Sequence, residues 1–262
     1  MEYKGIFDTH AHYDDEKFDE DRDTVLKNLF EHGVSLVVDP ACDLETCKKT
    51  LELSSKYDFI YSAVGVHPHS AESDGNGNWL EKIEEFAKNK KVVAIGEIGL
   101  DYHYDFSPRE KQKEVFAAQL ELANKLGLPV IIHDREAHAD TLELVKKYRP
   151  KGIIHCFSGS AETAREFIKL GMYIGFTGSV TFKNANKLLL AAKEVPDDRI
   201  LLETDCPYMA PVPFRGQRCD STLIPATAEK LAEIRGTDTQ KLIDMAMENG
   251  RRIYGIDLED AK

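Results

Sequence analysis

Short β-branched or apolar runs alternate with longer amphipathic stretches along the whole chain, and this alternation predicts eight strands. They fall near residues 5–9, 34–40, 59–66, 92–97, 129–133, 152–156, 172–176 and 200–205, with a helical stretch expected after each. Helix patterns are clearest at 43–56, at 108–126 with Gly127 and Pro129 as stop signals, and at 161–170 before Gly171. Two more, 222–234 and 237–249, end the chain, and Gly250 is read as closing the last one. A strand followed by a helix, eight times over with no break in composition, predicts an α/β fold: one (β/α)8 barrel of the TIM type spanning residues 1–262, with an extra C-terminal helix. The long connections 70–78 and 206–221 both follow strands and should lie on the face where such barrels carry their sites.

Length agrees with that reading, since 262 residues is close to the size of one such barrel. Hydrophobic residues at 42% and charged residues at 31% are globular proportions. No apolar run approaches the length of a bilayer span, and Met1 to Phe7 leads directly into a motif, so no signal segment and no membrane association are expected. Five cysteines, odd in number and without a C-x-x-C pair, argue against a disulfide framework and for a reducing cytoplasm. The net charge of −12 provides no global attraction for a polyanion, so a nucleic-acid substrate must be held by local cations or bound metals. The acidic run from Asp14 to Asp23 is expected at the start of a helix, on a solvated face. No obligate protein partner is evident in the sequence.

The candidate chemistry collects at strand ends. The first predicted strand runs into Asp8-Thr9-His10-Ala11-His12, where residues two apart can present both imidazoles to one cation. Glu97, His133, His155 and Asp205 stand at or beside the ends of four further strands. Singly, each has an ordinary structural explanation, such as a rim ion pair, a hydrogen-bonded core histidine or a helix cap. In a parallel barrel they would converge on one opening. Four imidazoles and two carboxylates suffice for two divalent cations if one carboxylate bridges them, and Glu97, midway in the strand order, is the natural bridge. Two ions so held would lower the pKa of a shared water toward neutrality and clamp the attacking and leaving oxygens, which is hydrolytic chemistry. No P-loop, no G-x-G-x-x-G before a helix and no G-x-S-x-G elbow occurs.

These motifs, in this order, resemble the TatD family of metal-dependent deoxyribonucleases. The resemblance rests on Phe7-Asp8-Thr9-His10-Ala11-His12, Gly65-Val66-His67-Pro68-His69, Gly96-Glu97-Ile98-Gly99-Leu100-Asp101-Tyr102 and Pro129-Val130-Ile131-Ile132-His133. It continues through His155-Cys156-Phe157-Ser158-Gly159, Glu203-Thr204-Asp205-Cys206-Pro207-Tyr208 and Pro213-Phe214-Arg215-Gly216. It implies that His10, His12, Glu97 and Asp205 surround one metal, that Glu97, His133 and His155 surround a second, and that His67 meets the scissile phosphate. Without the resemblance, His67 would be read as a loop histidine capping a turn before Pro68. Asp205 could also accept a proton from the nucleophilic water, and Glu203 could orient neighbouring ligands. Arg215 is a candidate phosphate clamp, and Tyr102 and His103 are candidate substrate contacts. Cys156 and Cys206 adjoin ligands but should face away from them.

One departure stands out. Gln217-Arg218-Cys219-Asp220 follows Gly216 where the family continues with a basic residue, Asn and Glu, which bears on the substrate edge and not on the metals. The expected activity is hydrolysis of phosphodiesters at DNA ends, in the 3′ to 5′ direction, with zinc, manganese or iron suiting the nitrogen and oxygen donors better than magnesium. The alternative is an ester or amide hydrolase such as an aminoacyl-tRNA deacylase, and a third reading is a barrel that binds without catalysing.

Overall fold

The computed structural model describes residues 3–257, so Met1, Glu2 and residues 258–262 of the expected span lie outside it. Eight parallel strands, β1 (Ile6–Asp8), β2 (Val34–Pro40), β3 (Ile60–Val64), β4 (Val92–Asp101), β5 (Val130–Arg135), β6 (Gly152–Ile154), β7 (Tyr173–Phe176) and β8 (Ile200–Leu202), pair in chain order. The helices between and beyond them are α1 (Arg22–Asn28), α2 (Leu44–Lys56), α3 (Ala71–Asp74), α4 (Trp79–Phe86), α5 (Arg109–Leu126), α6 (His138–Tyr148), α7 (Ala161–Lys169), α8 (Asn186–Glu194), α9 (Ile224–Arg235) and α10 (Thr239–Tyr254). The result is a nearly closed α/β barrel. At the seam, Thr9 N–H donates to Leu202 O at 3.1 Å and Asp205 N–H to His10 O at 3.0 Å. The fully buried Asp8 carboxylate completes the seam, accepting from Thr204 N–H (3.0 Å), Thr204 Oγ1 (2.6 Å) and Ser221 Oγ (2.7 Å).

Strand alternation sorts the apolar residues into two layers. Ile6, Val37, Ile60, Ile95, Val130 and Ile174 pack outward with residues of the surrounding helices. Phe7, Leu36, Val38, Tyr61, Ile131, Ile153, Tyr173 and Leu201 form a separate cluster with Tyr254 and Ile256, from the end of α10 and just beyond. That second cluster has no member from the other helices, which marks it as the barrel interior. Continuing the same parity up each strand brings His133 above Ile131, His155 above Ile153, and Glu203 and Asp205 above Leu201. The apolar interior thus gives way to a polar mouth.

Three expectations need correction. Gly250 lies inside α10 and does not end it, because a Cβ there would sit 2.6 Å from Phe7 Cδ1, and the helix instead closes at Gly255 with φ 66°. The acidic run Asp14 to Asp23 does not open a single helix: Asp15 caps the short 3-10 turn Glu16–Phe18, α1 begins only at Arg22, and Asp14 is buried. Arg22 ties that segment down by donating to the carbonyls of Tyr13 and Asp15 and to the Asp19 carboxylate. Finally, β4 continues through Asp101, so Glu97 lies within a strand and not at its end. Among the described residues no helix is long and apolar enough to cross a membrane, and all five cysteines are free thiols.

Candidate metal centre

Glu97 owes its position to a bulge. The β4–β5 register jumps from Ile95 opposite Val130 to Ile98 opposite Ile132, so β4 carries one residue more than its partner there, and the Glu97 N–H turns to Ala41 O at 2.8 Å. A bulge re-aims a side chain without ending the strand. The Glu97 carboxylate, 3% exposed, is thereby directed into the mouth.

Its two oxygens face different partners. Oε2 lies 3.5 Å from His10 Nε2 and 3.5 Å from His12 Nε2. Asp205 Oδ1 closes the same side at 3.7 Å from His10 Nε2 and 3.6 Å from His12 Nε2. Oε1 lies 2.8 Å from His133 Nδ1, 3.2 Å from His155 Nε2 and 3.6 Å from His67 Nε2. Two atoms each about 2.1 Å from one ion at a tetrahedral angle are roughly 3.4 Å apart, so these spacings fit cation coordination. Groups of side chains able to hold a metal include His10 with His12 and Asp205, and His67 with Glu97 and His133.

The electrostatics agree with that fit. Burial opposes charge on His12 and His133, yet the Glu97 contact raises His12 to about 10, and the Asp101 and Glu97 contacts raise His133 to about 9. Burial would also raise Glu97, but His155, His67 and His10 together hold it well below the usual carboxylate range. Burial lifts Asp205 to about 6. Without ions, protons thus take up the positive charge that this buried carboxylate cluster demands.

Behind the cluster stands a second set of carboxylates. Asp101 Oδ2 contacts His133 Nε2 at 3.2 Å, leaving Nδ1 turned to Glu97. Asp14 Oδ1 is 3.8 Å from His12 Nδ1. Glu203, fully buried, accepts from Cys156 N–H and lies 3.2 Å from His155 Nδ1, off hydrogen-bond alignment. Glu203 Oε2, His10 Nδ1 and His155 Nδ1 are buried without hydrogen-bond partners, as expected around a site whose charges are completed by cations. Gly175 on β7 makes room for Glu203, since a Cβ there would lie 2.6 Å from its Cδ. Cys156 (φ 42°) and Asp205 (φ 61°) both take left-handed backbone conformations at the mouth, a cost typically carried at functional sites.

His67 sits at the base of the Pro68–Ser70 turn, where its Nδ1 accepts the His69 N–H at 3.1 Å. That bond places the ring proton on Nε2, facing Glu97. The outer candidates are more dispersed. Tyr102 donates its hydroxyl to Asp140 at 2.6 Å beneath the Arg109 guanidinium, and His103 pairs with Glu136 at 2.8 Å. Arg215 is exposed and stacks on Phe182 at 3.7 Å. In the departing segment, Arg218 forms a fork to both Asp21 oxygens at 2.7 Å, Cys219 is buried and Asp220 caps Thr222, so it ties the loop after β8 to the loop after β1. Cys156 Sγ turns to Thr177 Oγ1 at 3.5 Å and Cys206 is buried. Cys42, by contrast, places its thiol within 4.8 Å of ligand atoms of His12 and Glu97. A lone cysteine after Pro40-Ala41 carries no spacing signal that could have singled it out.

A nearly closed barrel whose mouth gathers imidazoles around buried carboxylates defines a metal-dependent hydrolase. Residues 7–255 match the model of the TatD related DNase family. The chain belongs to that family. It is 43% identical over 254 residues to the uncharacterized metal-dependent hydrolase YabD of Bacillus subtilis, covering 96% of this chain and 99% of that protein. With the 3′-5′ ssDNA/RNA exonuclease TatD of Pectobacterium parmentieri it shares 34% identity, over 95% of this chain and 99% of the relative. The crystal structure of YjjV, a TatD homolog from Escherichia coli K12, superposes with a TM-score of 0.90 at 31% identity, over 97% of this chain and 99% of that one.

Proposed function

We propose that this chain removes nucleotides from the 3′ end of single-stranded DNA by hydrolysis, using two divalent cations. His10, His12, Glu97 and Asp205 would hold one, and Glu97, His133 and His155 the other. The observation that carries the reading is the division of Glu97, one oxygen toward each group of imidazoles. Bound ions would supply Lewis acidity and an activated water. Zinc, manganese or iron suits these mixed nitrogen and oxygen donors. Asp205 would accept the proton released by the attacking water. His67, with its proton on Nε2, can donate to a nonbridging phosphate oxygen, and Arg215 on the loop after β8 can reach toward the phosphate of a bound strand. The exonuclease name of the Pectobacterium relative supports the substrate, and the reducing cytoplasm suits five free thiols.

The test is to strip the protein with chelator, restore single ions, and follow 5′-labelled single-stranded DNA alongside an aminoacyl ester. Stepwise 3′ shortening that returns with zinc, manganese or iron is expected. Glu97→Gln should lower both metal content and turnover, the latter by roughly a thousandfold. Ester turnover without DNA shortening, or a Glu97→Gln protein that keeps its metals and its rate, overturns the proposal.

A further inference from the structure

The loop between β4 and α5 carries Tyr104 and Phe106, which are 47% and 66% exposed. Of the six exposed large apolar side chains among the described residues, four (Tyr104, Phe106, Tyr208 and Val212) lie on loops at the site's face. The Tyr104 and Phe106 rings stack nearly parallel, 5.1 Å apart at 16°, and the Arg135 guanidinium lies 4.6 Å from the Tyr104 centroid. The pair adjoins the metal centre. His69 meets Phe106 at 4.8 Å and Tyr104 at 5.5 Å, His69 meets His67 at 4.3 Å, and His67 Nε2 is 3.6 Å from Glu97.

This loop is held fixed. Asp101 Oδ1 accepts the N–H groups of His103 and Tyr104, both at 2.9 Å. Buried Gln112 donates to Asp101 O at 3.1 Å and Ser107 O at 2.8 Å, and Ser107 Oγ donates to His69 O at 3.0 Å. Asp105, left-handed at φ 50°, forms a two-point pair with Arg109. A rigid loop that holds two aromatic rings partly in water, Phe106 the more exposed, forgoes their full burial in the free protein, which marks a contact surface for a ligand.

We propose that Tyr104 and Phe106 form a stacking platform for an unpaired nucleobase beside the scissile phosphate, assisted by Arg135. The proposal rests on the nucleic-acid reading above and adds how the strand is held. A chain with net charge −12 cannot draw in a polyanion over long range, so affinity must come from short-range contacts, and base–aromatic stacking is such a contact and tolerates any base. Unpaired bases can splay onto the rings, whereas a duplex offers only its terminal pair, so the platform selects single strands.

The test uses the metal-loaded protein, with Tyr104→Ala, Phe106→Ala and the double variant. Substitutions at these exposed positions should leave metal content and circular dichroism unchanged. A phosphorothioate single strand with 2-aminopurine as its 3′-terminal or penultimate base should be quenched by the wild type and by Phe106→Trp, and not by the double variant. On an ordinary strand kcat/KM should fall about 5- to 150-fold, chiefly through KM, while a strand abasic at the quenched position should lose less than about twofold. Equal losses on both strands, no quenching by the wild type, or a dimer that dissociates in Phe106→Ala overturns the platform. If the wild type quenches but hydrolyses neither strand, the nuclease reading falls and the platform stands.

Discussion

Gly175→Ala tests the carboxylates behind the candidate metal centre without replacing any polar side chain. The new Cβ would lie 2.6 Å from Glu203 Cδ and 2.7 Å from Oε1, and Glu203 is fully buried, so either the carboxylate or β7 must move. Overpacking of this kind costs about 1–3 kcal/mol. A displaced Glu203 also frees the Cys156 N–H, a further loss of about 1–3 kcal/mol. Together these destabilise the protein by roughly 2–6 kcal/mol, a fall in Tm on the order of 4–24 °C for a chain of this size. Loss of the carboxylate beside His155 should weaken metal binding about 10- to 100-fold. Urea unfolding of the metal-free protein gives the first quantity and competition with a chelator the second. Gly171→Ala is the control. It has open space around it but a φ of 89°, so it should lose stability and keep its metal affinity. Should Gly175→Ala match wild type in both measurements, Glu203 does not position this site.

Asp101→Asn keeps a hydrogen-bonding shape but removes the charge facing His133 and His69, so metal affinity should drop about 10- to 100-fold while far-UV circular dichroism is unchanged; chelator competition checks it. Metal loading should release protons. His12 at about 10 and His133 at about 9 lie above the ordinary histidine value, so the metal-free protein is protonated at both near neutral pH, and the stability these protons contribute, full below about 6.5, is lost as pH rises through 9 to 10. Ion binding needs neutral rings, so affinity runs the opposite way, climbing toward pH 9 and levelling above about 10. Titration calorimetry at pH 7.5 in two buffers of different ionisation enthalpy reads the release, and identical heats would contradict it.

Local periodicity and motif order were sufficient to foresee eight strands, the extra terminal helix and the residues now gathered at the mouth. Each strand's alternation is written in its own neighbours, and the parity that buries Ile131, Ile153 and Leu201 is the same parity that lifts His133, His155 and Asp205 into the opening. The division of Glu97 between two groups of imidazoles was not written locally, because it depends on a bulge whose register is set by β5 and whose N–H is taken by Ala41 of a different connection. The same holds for Gly250, which reads as a helix end until Phe7, more than two hundred residues earlier in the chain, is packed against it. On the loop after β4, Tyr102 and Tyr104 are equivalent as letters. Only the folded chain ties the first to Asp140 under Arg109 and leaves the second in water beside Phe106. Sequence fixes which side a residue of a strand or helix faces, because that repeats every few residues; which distant groups meet there depends on closing the barrel, and no local pattern carries that information.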